Sequence, residues 1–393
     1  MQSPWKHHFC SLNKSQTHYL DSAATAQVPQ VVVKAISQYL SNGSGNPGRG
    51  AYSQSESATL VIKECRKKIA DFIHCNSEQV IFTKGTTESI NLVANSFAKT
   101  LTPNDSILVT QLEHHANLLP WQRLCQQTGA KLNILPIKMN GELDLRDYQK
   151  SLNDNCKLVA FSHYSNVIGL TNDLTQIIKT AREVGVLTLV DGAQAISHVA
   201  VNMKKYDCDF YTFSGHKIYA SGGSGILYAK KPNHLLPLLL GGGIVKRVES
   251  DNYSLLDGFQ KLEAGSSNMV ALTGLSNAID FIQSIGIVEI AEYEKALTKE
   301  LYQAINHLQN YTIISHPKSS SIVSFYHKNI HCHDIAIILA QSGISVRAGH
   351  HCSQPCLTAL GVKHCLRASV GLYNDSDDIE ALIKNLVSVE KMF

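Results

Sequence analysis

Between residues 79 and 214 the chain alternates short β-branched runs with amphipathic stretches of helical period, and this alternation restricts the possible folds more than any other feature. Gln79 to Thr83, Ser106 to Thr110, Lys157 to Ser162, Leu187 to Val190 and Asp209 to Ser214 read as strands. Glu88 to Ala98, Asn117 to Gln127 and Asp173 to Val184 lie between them with helical periodicity. Strands separated by helices require right-handed crossovers, so the expectation is an α/β fold with a mostly parallel, doubly wound sheet flanked by helices. Ligands then sit beyond the carboxyl ends of strands. After about residue 255 the pattern changes, with a long helical stretch from Val270 to Gln309, strands near Ile322 to Tyr326 and Ile344 to Arg347, and a final helix after Asp377. This predicts a smaller α+β C-terminal domain. A chain of 393 residues suits two domains, read here as 16–260 for the large one and 261–393 with 1–15 for the small one.

Charge argues against several partners. The 35 basic residues are scattered among 32 acidic ones for a formal net charge of +3, which gives no electrostatic support to nucleic acid binding. No run of about 18 apolar residues occurs, so no membrane span is expected. Met1 to His8 has no apolar region after its basic residues, which argues against a secretory signal. Ten cysteines without regular spacing fit a reducing cytoplasm better than a disulfide framework.

Chemistry concentrates at the strand ends. Phe210 to Ser214 runs into Gly215-His216-Lys217, and a lysine at a dry strand end suits Schiff-base chemistry because desolvation favours its neutral form. Taken alone, the string equally fits a surface lysine beyond a strand. Asp191 follows the apolar Leu189-Val190, where a carboxylate needs a cationic partner. A protonated pyridine nitrogen is one; an arginine, or a helix cap, is another. Gly85-Thr86-Thr87-Glu88 opens a helix after a strand, as a phosphate site or a plain N-cap. Glu113-His114-His115-Ala116-Asn117 puts an imidazole on the same rim, where a flat ring could stack on a flat cofactor. All four motifs are expected at one edge of the sheet.

These residues resemble the class V aminotransferase fold of pyridoxal-phosphate (PLP) enzymes, fold type I, and within it the group II cysteine desulfurases with the related cysteine sulfinate desulfinases and selenocysteine lyases. The likeness runs from Tyr19-Leu20-Asp21-Ser22-Ala23-Ala24-Thr25 to Leu366-Arg367-Ala368-Ser369, and includes Arg347-Ala348-Gly349-His350-His351-Cys352. It implies that Lys217 carries the cofactor, Asp191 meets its ring nitrogen, Gln194 lies near its hydroxyl and His114 stacks on the ring and assists catalysis. Thr86, Thr87, Ser214 and His216 would surround the phosphate or its approach. Asn166 and Arg367, with Arg347, would hold the substrate carboxylate, a task that suits a guanidinium. Ser266, in Glu263-Ala264-Gly265-Ser266-Ser267-Asn268, would reach the partner subunit's phosphate, which implies a homodimer.

The same resemblance implies that Lys217 removes the Cα proton of L-cysteine and that the Cys352 thiolate attacks the substrate sulfur. That leaves a persulfide on Cys352, alanine, and sulfur for an acceptor protein in iron–sulfur cluster assembly or other sulfur metabolism. Exposure and the two imidazoles before Cys352 are expected to favour its thiolate. A buried structural thiol and a zinc ligand are the alternatives for Cys352; no C-x-x-C pair occurs, and no metal is expected. The sequence departs from the family in three places. Ala220-Ser221-Gly222-Gly223 replaces a Gly-Pro-Thr-Gly turn, Asn46-Pro47-Gly48-Arg49 lacks a histidine, and Cys356 adds a thiol. Desulfination of cysteine sulfinate, deselenation of selenocysteine, another reaction of the fold such as transamination or kynurenine cleavage, and a non-catalytic PLP-binding scaffold remain the competing readings.

Overall fold

The computed structural model describes residues 1–13, 17–48 and 50–393. Its centre is a seven-stranded sheet in the order Val80–Thr83, Gly225–Ala229, Phe210–Ser214, Leu187–Asp191, Cys156–Ser162, Ser106–Thr110, Lys131–Leu135. Gly225–Ala229 runs antiparallel to both neighbours and the other pairings are parallel. The sheet is therefore mostly parallel, as expected. Its inner strands are apolar on both faces because helices cover both. Leu108, Val159, Phe161, Val190 and Phe213 pack into one cluster, while Ile107, Val109, Leu158, Leu189 and Phe210 pack into another, the period-two alternation of a strand.

A four-stranded antiparallel sheet forms the smaller layer, ordered Tyr311–Ile313, Ile322–His327, Cys365–Ser369, Arg347–Gly349. The helices Ile287–Asn306, Cys332–Gln341 and Ser376–Glu390 contribute Leu297, Leu301, Leu339, Leu382 and Leu386 to its core.

Two expectations about the C-terminal half change. The helical stretch from Val270 to Gln309 is two helices, Met269–Ile285 and Ile287–Asn306, bent by 78°. Gly286 between them has φ of +99°, a left-handed conformation that glycine adopts without steric cost. The first of the pair packs on Gln30–Ser41 and Ser53–Phe72, and its Leu272, Leu275, Ile279 and Ile282 join the larger core. Ile287 and Ile290 pack there too, so the smaller core begins near Tyr293 rather than at residue 261. Phe9 also lies in the larger cluster, while Lys6 pairs with Asp375 at 2.9 Å, so the N-terminal segment bridges the two layers. Among the described residues no single helix is long and apolar enough to cross a membrane.

Candidate active site

The carboxyl ends of the strands ending at Thr83, Thr110, Ser162, Asp191 and Ser214 meet at one edge of the large sheet, and the small domain faces that edge. Between them lies a cavity of about 340 Å³, within the usual range for small-molecule sites. Every expected site residue lines it except Ser266, which lies in neighbouring hollows with Gly265 and Ser267.

The loop after Phe210–Ser214 sets the floor. Lys217, half-buried, ends a single helical turn, Gly215–Lys217. Burial pushes its amine down to about 8, against the pull of the Asp191 carboxylate. Asp191 is buried, accepts the Ala193 N–H at 2.9 Å, and has no ion-pair partner among the described residues. Burial pushes its carboxyl up, opposed by that hydrogen bond and by the charge of Lys217. The turn at Ala220 to Gly223 is closed by Ala220 N–H to Gly215 O (3.1 Å) and Gly215 N–H to Ser224 O (2.9 Å).

The helix Thr86–Phe97 points its N-terminus at the cavity. Ser214 Oγ accepts the Thr86 N–H at 2.9 Å and donates to Thr86 Oγ1 at 3.0 Å. Thr87 is exposed at the rim. Gly225 makes this junction possible, because a Cβ there would lie 2.3 Å from the Gly85 backbone.

His114 and His216 flank the cavity as neutral rings. Burial, then the charge of Lys217, pushes each down to about 4. His114 Nδ1 accepts the Ala116 N–H at 3.0 Å, which fixes the tautomer with the proton on Nε2. Gln194 donates from Nε2 to Ala23 O at 2.7 Å.

Arg367 is buried, and it donates to Asn166 O at 2.9 Å and to Asp21 Oδ1 at 3.3 Å. Its Nε has no hydrogen-bond partner among the described residues. Arg347, half-exposed, also pairs with Asp21, at 2.9 Å. Asp21, part of the N-terminal likeness but given no role by sequence, is therefore the carboxylate that balances both arginines. Asn166 Nδ2 donates to His351 O at 2.7 Å, so this residue braces the Cys352 loop as well as lining the cavity.

Cys352 is exposed and stands at the mouth. His351 and Cys352 both have positive φ, +51° and +54°, a conformation that costs a side chain roughly 1–2 kcal/mol per residue. The loop is held there by His115 N–H to Cys352 O (2.7 Å) and by Ser353 Oγ to Glu113 O (2.9 Å). Burial pushes His351 down to about 3 and lowers His115, so these two rings stand neutral near the thiol. Arg347 and Lys217 supply positive charge toward Cys352 instead. Cys356 and Cys365 are fully buried in an apolar cluster, whereas Cys352 is exposed.

Glu113 lies behind the site, fully buried, and takes four hydrogen bonds. Thr110 Oγ1 and Ser162 N donate to one oxygen at 2.5 and 3.1 Å, and Asn117 Nδ2 and Ser162 Oγ to the other at 2.6 and 2.7 Å. Burial still pushes it up, from 4.5 to about 7. The folded state thus keeps a proton that the unfolded chain gives up, so stability falls as pH rises from about 4.5 to about 7, by on the order of 3 kcal/mol. Urea unfolding at steps between pH 4.5 and 8 is expected to show that decline in the parent, and the Glu113→Gln variant is expected to lack it. Parallel curves for the two proteins would refute the assignment.

The donor set fits pyridoxal phosphate. An amine at the cavity floor can carry its aldehyde carbon, a buried carboxylate without a protein cation can meet a protonated pyridine nitrogen, and a helix N-terminus with hydroxyls can take a phosphate.

Comparison with known proteins agrees. The family model for aminotransferase class-V matches residues 18–382. A probable cysteine desulfurase of Vibrio cholerae is 39% identical over 376 residues, covering 95% of this chain and 93% of that protein. The crystal structure of the cysteine desulfurase CsdA (S-sulfonic acid) from Escherichia coli superposes with a TM-score of 0.93 at 34% identity, covering 99% and 98% of the two chains. The apo cysteine desulfurase of Thermococcus onnurineus NA1 gives 0.95 at 35% identity over 100% and 99%. The chain belongs to the aminotransferase class-V family, and the similar proteins just described are named as cysteine desulfurases or a probable one.

Proposed function

We propose that the protein is a pyridoxal-phosphate-dependent cysteine desulfurase that takes the sulfur of L-cysteine onto Cys352 and releases L-alanine. One observation carries this reading: an exposed thiol, Cys352, lines the same cavity as Lys217 and Asp191. Transamination needs no such group. The activity of the relatives supports the same reading.

When bound, the cofactor supplies an electron sink for negative charge developing at the substrate's Cα. The chain's own residues do the rest. Asp191 holds a proton on the ring nitrogen, and the Lys217 amine takes the Cα proton. Arg367 binds the substrate carboxylate through its unpartnered Nε side, held in place by Asn166 and Asp21. The Cys352 thiolate attacks the substrate sulfur, so that an S–S bond forms as the Cβ–S bond breaks. The electron pair of the broken bond stays with the carbon skeleton and is protonated at Cβ, and Lys217 returns its proton to Cα. One cysteine and one thiol thus give one alanine and one persulfide, with no external oxidant.

Ser266 borders hollows that also contain Asn46, Gly48, Gly243 and the exposed Leu239; Arg49 lies outside the described residues. A second copy seated there would cover these groups and bring Ser266 toward its neighbour's phosphate, so the working unit we propose is a homodimer. The persulfide sulfur passes to an acceptor protein in the cytoplasm, for iron–sulfur cluster assembly or other sulfur metabolism.

The test is product analysis. The PLP-loaded protein incubated with L-cysteine, without added thiol, is expected to yield alanine and protein-bound persulfide in equal amounts in the first turnover. A keto acid in place of alanine, or a yellow protein that forms neither product, would exclude this function.

A further inference from the structure

On the outer face of the small domain, three donors that play no part in the reaction converge. His331 precedes the helix Cys332–Gln341, Cys332 is its first residue, and His364 precedes the strand Cys365–Ser369. One donor atom from each lies within 4.8 Å of the others. His331 Nε2 and His364 Nε2 are 3.3 Å apart, which is roughly the separation of two imidazole nitrogens each about 2.0–2.1 Å from a tetrahedral zinc ion. Burial pushes the Cys332 thiol up, and the backbone N–H groups of Gly349, His333 and Cys332 itself, turned toward the sulfur, oppose that rise. Amides turned toward the sulfur are the outer-shell support that a metal-bound thiolate uses.

We propose that His331, Cys332 and His364 form a site for a thiophilic divalent cation of the zinc class, with its fourth position open to water. Binding releases the Cys332 thiol proton to solvent. It also moves the His331 ring proton to Nδ1, which gives up only a weak 3.4 Å hydrogen bond from the His333 N–H. The ion joins the start of a helix to the start of the strand that carries Arg367. It sits beside Gly349, from which the chain runs into the Cys352 loop. An occupied site would brace both substrate-facing segments from outside the cavity.

The probe is zinc chloride added to the PLP-loaded protein after chelator treatment and dialysis. One equivalent of Zn²⁺ per chain is expected by competition with a chromogenic chelator, and X-ray absorption is expected to show one sulfur near ~2.3 Å and two imidazole nitrogens near ~2.0 Å. His331→Asn combined with His364→Ala, which keeps a side chain able to cap the helix, is expected to lose that equivalent while circular dichroism stays that of the parent. Cys352→Ser is expected to keep it. The proposal is overturned if the parent takes up no zinc, if uptake survives in the double variant, or if it disappears with Cys352→Ser.

Discussion

Lys217→Ala is expected to lower alanine formation from L-cysteine by about 10³-fold or more. A positioned general base alone contributes roughly 10²–10⁴-fold, and this amine also tethers the cofactor. The cavity itself should survive, because Asp191, Ser214, Thr86 and His114 are held by contacts that do not involve the lysine side chain. The variant is therefore expected to take up PLP without covalent attachment. Borohydride reduction followed by peptide mapping should find the cofactor on residue 217 of the parent and on no residue of the variant. Lys217→Arg separates chemistry from charge, since it keeps a cation in place but offers no neutral amine at working pH. It is expected to be as inactive as the alanine variant, and partial recovery with added methylamine is expected only for Lys217→Ala. Substantial turnover by either variant would remove Lys217 from the mechanism.

The large sheet was legible because its inner strands are apolar on both faces and short, while the crossovers between them carry a clear helical period. The five strands read from sequence agree with the structure to within about one residue at each end. What escaped has physical reasons. Gly225–Ala229 is a five-residue strand that opens with glycine, and its position between two strands pointing the other way is a tertiary fact without a local pattern. The helix Ser53–Phe72 buries Ser55 and Arg66 along with Ala58 and Ile69, so its apolar stripe is interrupted. Arg66 is satisfied there by the Val80 carbonyl and by a distant residue, Glu263, which it meets through Nη1 to Oε1 at 2.8 Å and Nη2 to Oε2 at 2.7 Å. The break at Gly286 lies between two helices whose periodicity continues on either side, and the glycine itself was the sole local signal.

The site divides along the same line. Strand-end reasoning found Lys217, Asp191, His114 and Thr86, because each follows a recognisable strand or opens a helix. It missed the pairing of Asp21 with Arg347 and Arg367, which spans more than 300 residues of sequence and depends on the small sheet folding against the N-terminal segment. It also captured only part of the electrostatics around Cys352. Two histidines beside a cysteine suggest positive charge, yet burial keeps His351 neutral, and the cations come from other elements. Adjacency in sequence gave the residue types, whereas their protonation states follow from burial that only the packed domains create.

Cys352→Ala provides the sharpest division between desulfuration and its chemical relatives. With L-cysteine the substrate sulfur leaves as a persulfide only if a thiolate accepts it, so removing the thiol is expected to cut alanine formation by at least about 10²-fold, a loss of the kind seen when the nucleophile of a catalytic unit is deleted. Cysteine sulfinate differs at one point, because its sulfur is already oxidised and departs as sulfur dioxide, which water converts to sulfite, leaving the bond's electron pair on carbon without an attacking group. Turnover of the sulfinate still requires Lys217 for the Cα proton and Arg367 for the carboxylate, and neither contacts the Cys352 side chain through a hydrogen bond. It is expected to remain near the parent rate. The loop should also stay in place, since the bonds that fix it come from the backbone carbonyls of His351 and Cys352 and from the Ser353 hydroxyl rather than from the thiol. Assays without added thiols are needed, because a small thiol could enter the cavity and accept the sulfur. Equal cysteine turnover by variant and parent under those conditions would mean that the sulfur leaves by another route and that the exposed thiol is not its acceptor. Loss of both activities would instead place Cys352 among the groups that shape the cavity.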